Sequence, residues 1–283
     1  MDHMRRQALI WSRDIHSAGL TFEDMLRIAD GVQPELDGCE IFSGVGNIYT
    51  AMHLRDLKAE KYDILENPLN DALTNLGATR ATRMVARVRP GGMAWIACDC
   101  GSFCHLYSQS GRSKSNPAGD ETRFKVEQGN SMARLSILLF LLSWVRGVFP
   151  ILENPQANYF WSYEPIARTL SYMAAHVTVA ICCRCRFVTA REKEKKPYKL
   201  VGTASWMGDL NFPCKCKKEH KKLHTRKVDA HGVVKTTGKA AVLKASGEYP
   251  LKMAKAMVAA WMLHYRKPQP TSASDDDWCR NLE

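Results

Sequence analysis

No stretch of this chain is apolar for long enough to cross a bilayer. The strongest run, residues 135–145, is broken by Ser136 and Ser143 and bracketed by Arg134 and Arg146. That is well short of the roughly 20 apolar residues a spanning helix needs. The start, MDHMRRQALIW, has no apolar h-region and no cleavage site. Secretion is therefore not expected; the reading is intracellular, and nuclear if the source is eukaryotic. No internal repeat recurs, and nothing in the sequence fixes an oligomeric state. Acid is the scarcer charge, 29 Asp and Glu against 40 Lys and Arg. What remains is a 283-residue chain that is 45% hydrophobic, enough for one large α/β domain or a domain with a small appendage. Its ten cysteines, in an intracellular setting, argue for thiols, metal or chemistry rather than disulfides.

The net charge of +11 is unevenly placed. Residues 191–227 hold twelve Lys and Arg against four Asp and Glu, which is +8 of that total. A charge run is ordinarily just a solvated face. This one also carries Cys and His, which raises the alternative of a nucleic-acid-facing module.

The chain reads as alternating strands and helices. Residues 21–30 form a short helix in which Thr21 caps and Asp24 completes a capping box. Residues 39–42 form a strand that runs into Ser43-Gly44-Val45-Gly46, and 47–57 form a helix. Glycines there permit a tight turn, and the helix start offers free N–H groups to a ligand. A second strand over 61–65 brings Asp63 and Glu66 about 20 residues past the turn, where nucleotide-type sites place an acid on ribose hydroxyls. A helix over 71–88 leads to the strand at 93–97. The polar loop 108–122 is long enough to serve as a mobile lid. A helix over 124–146, a strand over 148–152 ending in Glu153-Asn154-Pro155, a helix over 162–175 and a strand over 176–182 follow. A further strand is expected near 199–203 and a C-terminal helix over 249–265. The alternation over 39–186 predicts an α/β fold with a doubly wound, mainly parallel sheet. Around that core stand a helical lead-in (1–38), a basic Cys/His-containing insertion (187–248), the packed C-terminal helix (249–268) and a disordered Pro/Ser/Asp-rich tail (269–283).

Residues 92–113 organise the rest. A buried strand breaks there into a Ser/Gly/Cys loop with Cys98, Cys100 and Cys104 inside seven residues. Open α/β sheets place chemistry at that end of a strand. The sulfurs are either small buried apolar groups or a nucleophile or metal ligand.

The ordered set of strand ends, FSGVG, the Cys100 loop, LENP and CCRCR, resembles the DNA (cytosine-5) methyltransferases over residues 39–186. The resemblance implies a Rossmann-like methyltransferase fold in which Phe42, Ser43, Gly44 and Gly46 cradle S-adenosylmethionine, with Asp63 or Glu66 on its ribose. It implies Cys100 as the nucleophile, supported by Phe103 three residues on and by Ser110-Gly111. Cys98 lacks such an aromatic. It implies Glu153 as the group that reads cytosine, and Arg184 and Arg186 as charges near the thiolate. The chain departs from the pattern at three places: Asp99 stands where the family has Pro, Pro155 for Val, and Cys182 for Gln. An adjacent carboxylate raises a thiol pKa. Two alternatives therefore stay open, a catalytically degenerate domain that binds nucleic acid and a same-fold methyltransferase with another substrate.

A second cluster, Cys214-x-Cys216-x3-His220-x3-His224, has the residue types of a structural zinc site. One residue between the cysteines is fewer than usual, so Cys182, Cys183 or Cys185 is expected to complete any such site. The plain alternative is a basic surface loop.

Overall fold

The structure is a computed structural model that describes residues 2–188, 195–216, 220, 225–228, 234–237 and 248–265. His224, the tail 269–283 and much of the basic stretch lie outside the described residues.

Six strands make the main sheet: β1 (Leu36–Ile41), β2 (Ala59–Tyr62), β3 (Val88–Ile96), β4 (Phe149–Pro155), β5 (Thr178–Cys183) and β6 (Pro197–Gly202). Their order is β2-β1-β3-β4-β6-β5. The β1–β2, β1–β3 and β3–β4 pairs are parallel, whereas β6 runs antiparallel to both β4 and β5. This is the mainly parallel α/β sheet expected. The one reversed strand sits inside the sheet rather than at its edge. A separate two-stranded ribbon pairs β7 (Thr225–Val228) with β8 (Val234–Thr237).

Helices cover both faces. On one lie α1 (Asp2–Trp11), α2 (Phe22–Ala29), α4 (Asn75–Ala86), α5 (Phe124–Val145) and α6 (Glu164–Tyr172). On the other lie α3 (Asn47–His53) and α7 (Leu251–Met262). The side-chain alternation of β3 divides the core: Ala94 and Ile96 join the first layer, Met93 and Trp95 the second. The apolar run 135–145 is fully enclosed because α5 packs under the sheet and is flanked by neighbouring helices. Among the described residues no helix is long and apolar enough to cross a membrane.

Local sequence signals explain most boundaries. Thr21 and Asp24 form the predicted capping box of α2. Thr74 accepts a hydrogen bond from Gly77 N at 3.1 Å, so α4 begins at Asn75 rather than at 71; the preceding Pro68–Asn70 segment is a separate 3₁₀ turn. Helix α3 stops at His53, earlier than predicted, because the chain turns back through Asp56 at φ 54°.

Within the loop 108–122 one arginine is enclosed. Arg112 is buried at 7% exposure and lies 3.8 Å from the centre of the Phe103 ring. Its guanidinium donates to the carbonyls of Ser102, Pro117, Ala118 and Val126 and to Ser102 Oγ, at 2.5–3.3 Å. An arginine in a Ser/Gly-rich loop reads as solvated; here it is the internal brace that holds the loop.

Candidate active site

Strand β1 carries two buried acids with different fates. Asp37, near its start, accepts from Lys58 N at 2.8 Å, Arg89 at 3.3 Å and the Tyr265 hydroxyl at 2.5 Å. Both oxygens of that carboxylate are used, as burial requires. Glu40, near the strand's end, accepts from Tyr49 N at 2.8 Å through Oε2, while Oε1 has no partner. Burial pushes the Glu40 carboxyl up to about 7, against the backbone hydrogen bonds from Tyr49 and Ile48 that lower it. The N–H groups that the sequence offered to a ligand at the start of α3 are thus turned in part toward Glu40.

Past β1 the chain turns through residues 42–46, with Phe42, Gly44 and Gly46 at φ 60°, 52° and 76°. The left-handed region is costly for phenylalanine, so its use here marks a constrained turn. A Cβ placed on Gly44 would meet nothing within 4 Å, whereas one on Gly46 would lie 2.8 Å from Lys61 Cδ. Asp63 accepts from Gly44 N at 2.8 Å and from Leu65 N at 2.9 Å, bracing the turn from behind. Glu66 pairs with Lys61 at 2.7 Å.

A cavity of about 380 Å³ opens over the carboxyl ends of β1, β3 and β4, a volume within the usual range for small-molecule sites. Of the residues singled out in the sequence, Phe42, Ser43, Gly44, Gly46, Cys100 and Glu153 line it. Asp63 and Glu66 stand behind the turn. Arg184 and Arg186 occupy the 3₁₀ turn Arg184–Arg186 after β5 and do not line it. Wall residues with no role in the sequence reading include Lys196, Tyr198 and Tyr249. Lys196 immediately precedes β6, and Tyr198 lies in it, paired with Pro155. The third precedes α7.

Glu153 is 5% exposed. Tyr249 donates its hydroxyl to Glu153 Oε2, and Glu153 Oε1 has no partner. Burial raises this carboxyl to about 7, with the Tyr249 hydrogen bond and the Lys196 charge opposing. Ser43 Oγ is likewise buried and unpartnered. Cys100 follows β3 directly. Burial pushes its thiol up to about 12; Lys196 pulls it down, and Asp99 and Glu153 push it further up. The lowering charge beside this sulfur is therefore Lys196. Next to Cys100, Asn154 donates to the Cys98 carbonyl at 3.2 Å, tying the end of β4 to the cysteine loop.

The cysteine–histidine cluster lies apart from this cavity. Among the described residues, Cys185, Cys214, Cys216 and His220 bring one donor atom each to within 4.8 Å of one another. Cys214, Cys216 and His220 were singled out together from the sequence, and Cys185 joins them from the turn after β5.

No protein-family model matches the chain, and no curated protein matches it. Solved structures similar to it include the S. pombe Dnmt2 methyltransferase, at 12% identity and TM-score 0.37, matched over 66% of this chain and 58% of that one. They also include a triply substituted mutant of Spodoptera frugiperda DNMT2, at 16% and 0.35, over 64% of this chain and 53% of that one. A third is the Entamoeba histolytica methyltransferase EhMeth, at 8% and 0.34, over 66% and 58%. The chain thus spans little more than half the length of these neighbours. At such identities the likeness says nothing of substrate.

Proposed function

We propose that the cavity is the active site of an S-adenosylmethionine-dependent methyltransferase that takes a cytosine of DNA, with Cys100 as the attacking group. One observation carries this: the constrained glycine turn, Cys100 and Glu153, whose Oε1 has no partner, line one cavity. The turn fits the cofactor, since Gly44 leaves open room where a side chain would stand and Ser43 Oγ lacks a partner. Phe42, Ser43, Gly44 and Gly46 would hold it, with Asp63 keeping the turn in shape. When bound, S-adenosylmethionine supplies an electrophilic methyl group.

The chain's own residues supply the rest. A thiol raised to about 12 is thiolate in only about one molecule in 10⁵ at pH 7, so Cys100 must be activated as the base arrives. Protonating Glu153 removes one of the two carboxylates that oppose the thiolate and leaves Lys196 in place. A neutral Glu153, poised near pH 7, can also give its proton to the cytosine ring as sulfur adds to carbon-6, which quenches the charge that develops there, while the Cys100 proton leaves to solvent. Glu153 therefore serves two ends, recognising the ring and easing deprotonation of its neighbour. A base reaches such a pocket only out of the stack, and the basic stretch 191–227 is proposed to hold the phosphates.

The test is mass spectrometry of the chain mixed with S-adenosylmethionine and a duplex carrying 5-fluorocytosine. A covalent adduct mapped to Cys100 is expected. Cofactor binding without an adduct removes Cys100 as nucleophile and leaves a same-fold enzyme with another substrate. The raised Cys100 thiol, opposed by Asp99, favours one second reading: a degenerate domain that binds nucleic acid without turnover. That reading predicts salt-sensitive DNA binding indifferent to the cofactor and to Cys100→Ser.

A further inference from the structure

We infer that Cys185, Cys214, Cys216 and His220 bind one zinc ion in a closed, structural site that clasps the segment bearing Cys214 and Cys216 to the turn after β5. Three thiolates and an imidazole are a soft donor set that suits zinc and disfavours magnesium or calcium. With bonds of about 2.3 Å to sulfur and 2.0–2.1 Å to nitrogen, tetrahedral geometry separates two sulfurs by about 3.8 Å and a sulfur from a nitrogen by about 3.6 Å. The sulfurs of Cys185 and Cys216 stand 3.9 Å apart, and Cys214 Sγ stands 3.3 Å from His220 Nε2. Four protein donors leave no open position, so the ion is structural rather than catalytic.

The two arms of the site are already registered by the backbone. Cys185 sits in the turn that ends β5. The segment bearing Cys214 and Cys216 is docked beside that strand, where Cys183 N donates to the Phe212 carbonyl at 2.9 Å and Ile181 N to Asn211 Oδ1 at 3.1 Å. The fourth ligand is thus supplied from 29 residues upstream of Cys214, and it takes the place the sequence reading gave to His224. A competing donor is close by: Cys183 Sγ lies 3.2 Å from Cys185 Sγ but is outside the cluster of four.

The clasp has a consequence for the cavity. Arg184 N donates to the Lys196 carbonyl at 3.0 Å, and Cys182 pairs with Tyr198 across β5 and β6. Lys196 and Tyr198 form part of the cavity wall, so the ion anchors the turn against which that wall is built.

Zinc is measured on the purified full chain by inductively coupled plasma mass spectrometry. About one zinc per chain is expected, falling at least tenfold in Cys185→Ser and in Cys216→Ser, and retained in Cys183→Ser and His224→Ala. Because the ligand variants can fail to fold, cobalt exchange into the unaltered protein supplies a second reading: thiolate-to-cobalt charge-transfer absorption with visible bands of a tetrahedral ion. A metal-free protein that takes up neither zinc nor cobalt overturns the proposal. So does zinc retained in Cys185→Ser, or lost in His224→Ala.

Discussion

Replacing Glu153 with Gln is expected to make the protein more stable at neutral pH and to leave it nearly unchanged in mild acid. The carboxyl titrates near its ordinary value of 4.5 in the unfolded chain and near 7 in the folded one. Between those values the folded state binds more protons than the unfolded state, so stability falls as pH rises. The stability Glu153 lends is complete below about pH 4.5 and is lost as pH climbs through 7. A displacement of that size corresponds to about 3 kcal/mol, at 1.36 kcal/mol per pKa unit. Glutamine keeps the shape and the Tyr249 contact but never ionises, so its own cost is constant with pH. The wild-type protein also contains Glu40, raised in the same direction. For that reason the quantity to follow is the difference between wild type and Glu153→Gln, in which Glu40 cancels. Thermal melts at half-unit steps from pH 5 to pH 8 read it directly. At roughly 2–4 °C per kcal/mol for a chain of this class, the variant should gain on wild type by about 6–12 °C across the range. A difference that stays flat, or grows toward acid, would refute the claim that Glu153 is buried and neutral in the resting site.

Three further outcomes are expected. Arg112→Lys keeps the charge but cannot reach the acceptors that the guanidinium spans, so chemical denaturation should show a loss of about 3 kcal/mol; an unchanged midpoint would mean that the loop is held by something else. Lys196→Met should slow iodoacetamide alkylation of Cys100 severalfold and Asp99→Asn should speed it, both followed by peptide mass spectrometry, since these charges respectively lower and raise the thiol. Gly77→Ala would put a Cβ 2.0 Å from the Asp71 carbonyl oxygen, and a clash with backbone of that kind should cost about 2–3 kcal/mol in melting experiments.

What the sequence made legible was local. Thr21 and Asp24 announce their helix because a capping box is complete within four residues, and the strand ends at Gly44, Cys100 and Glu153 are marked by breaks in apolar runs. The alternation of elements leads to the sheet because crossover connections leave few other arrangements. Lys196 and Tyr198 escaped notice for the opposite reason. Their place in the cavity depends on β6 entering between β4 and β5, and nothing within the run KPYKLVG specifies which neighbours it will have. Tyr249 is farther still from Glu153, 96 residues along the chain. Arg112 reads as a surface charge until Phe103 and four carbonyls are seen around it. The turn of α3 partly reversed its expected use, since Glu40 occupies amides that a ligand was expected to find free.

The position of β6 also bears on how the protein is made. Strands β4 and β5 never touch; a gap of about two strand spacings, roughly 9.5 Å, separates them and is filled only by residues 197–202. A nascent chain that has left the ribosome as far as Cys183 therefore has the outer edge of β4 unpaired, and the residues of β5 have no strand to pair with. Such edges invite mispairing with other chains. Until β6 slides in, with its reversed direction, no described strand joins β5 to the contiguous parallel strands β2-β1-β3-β4.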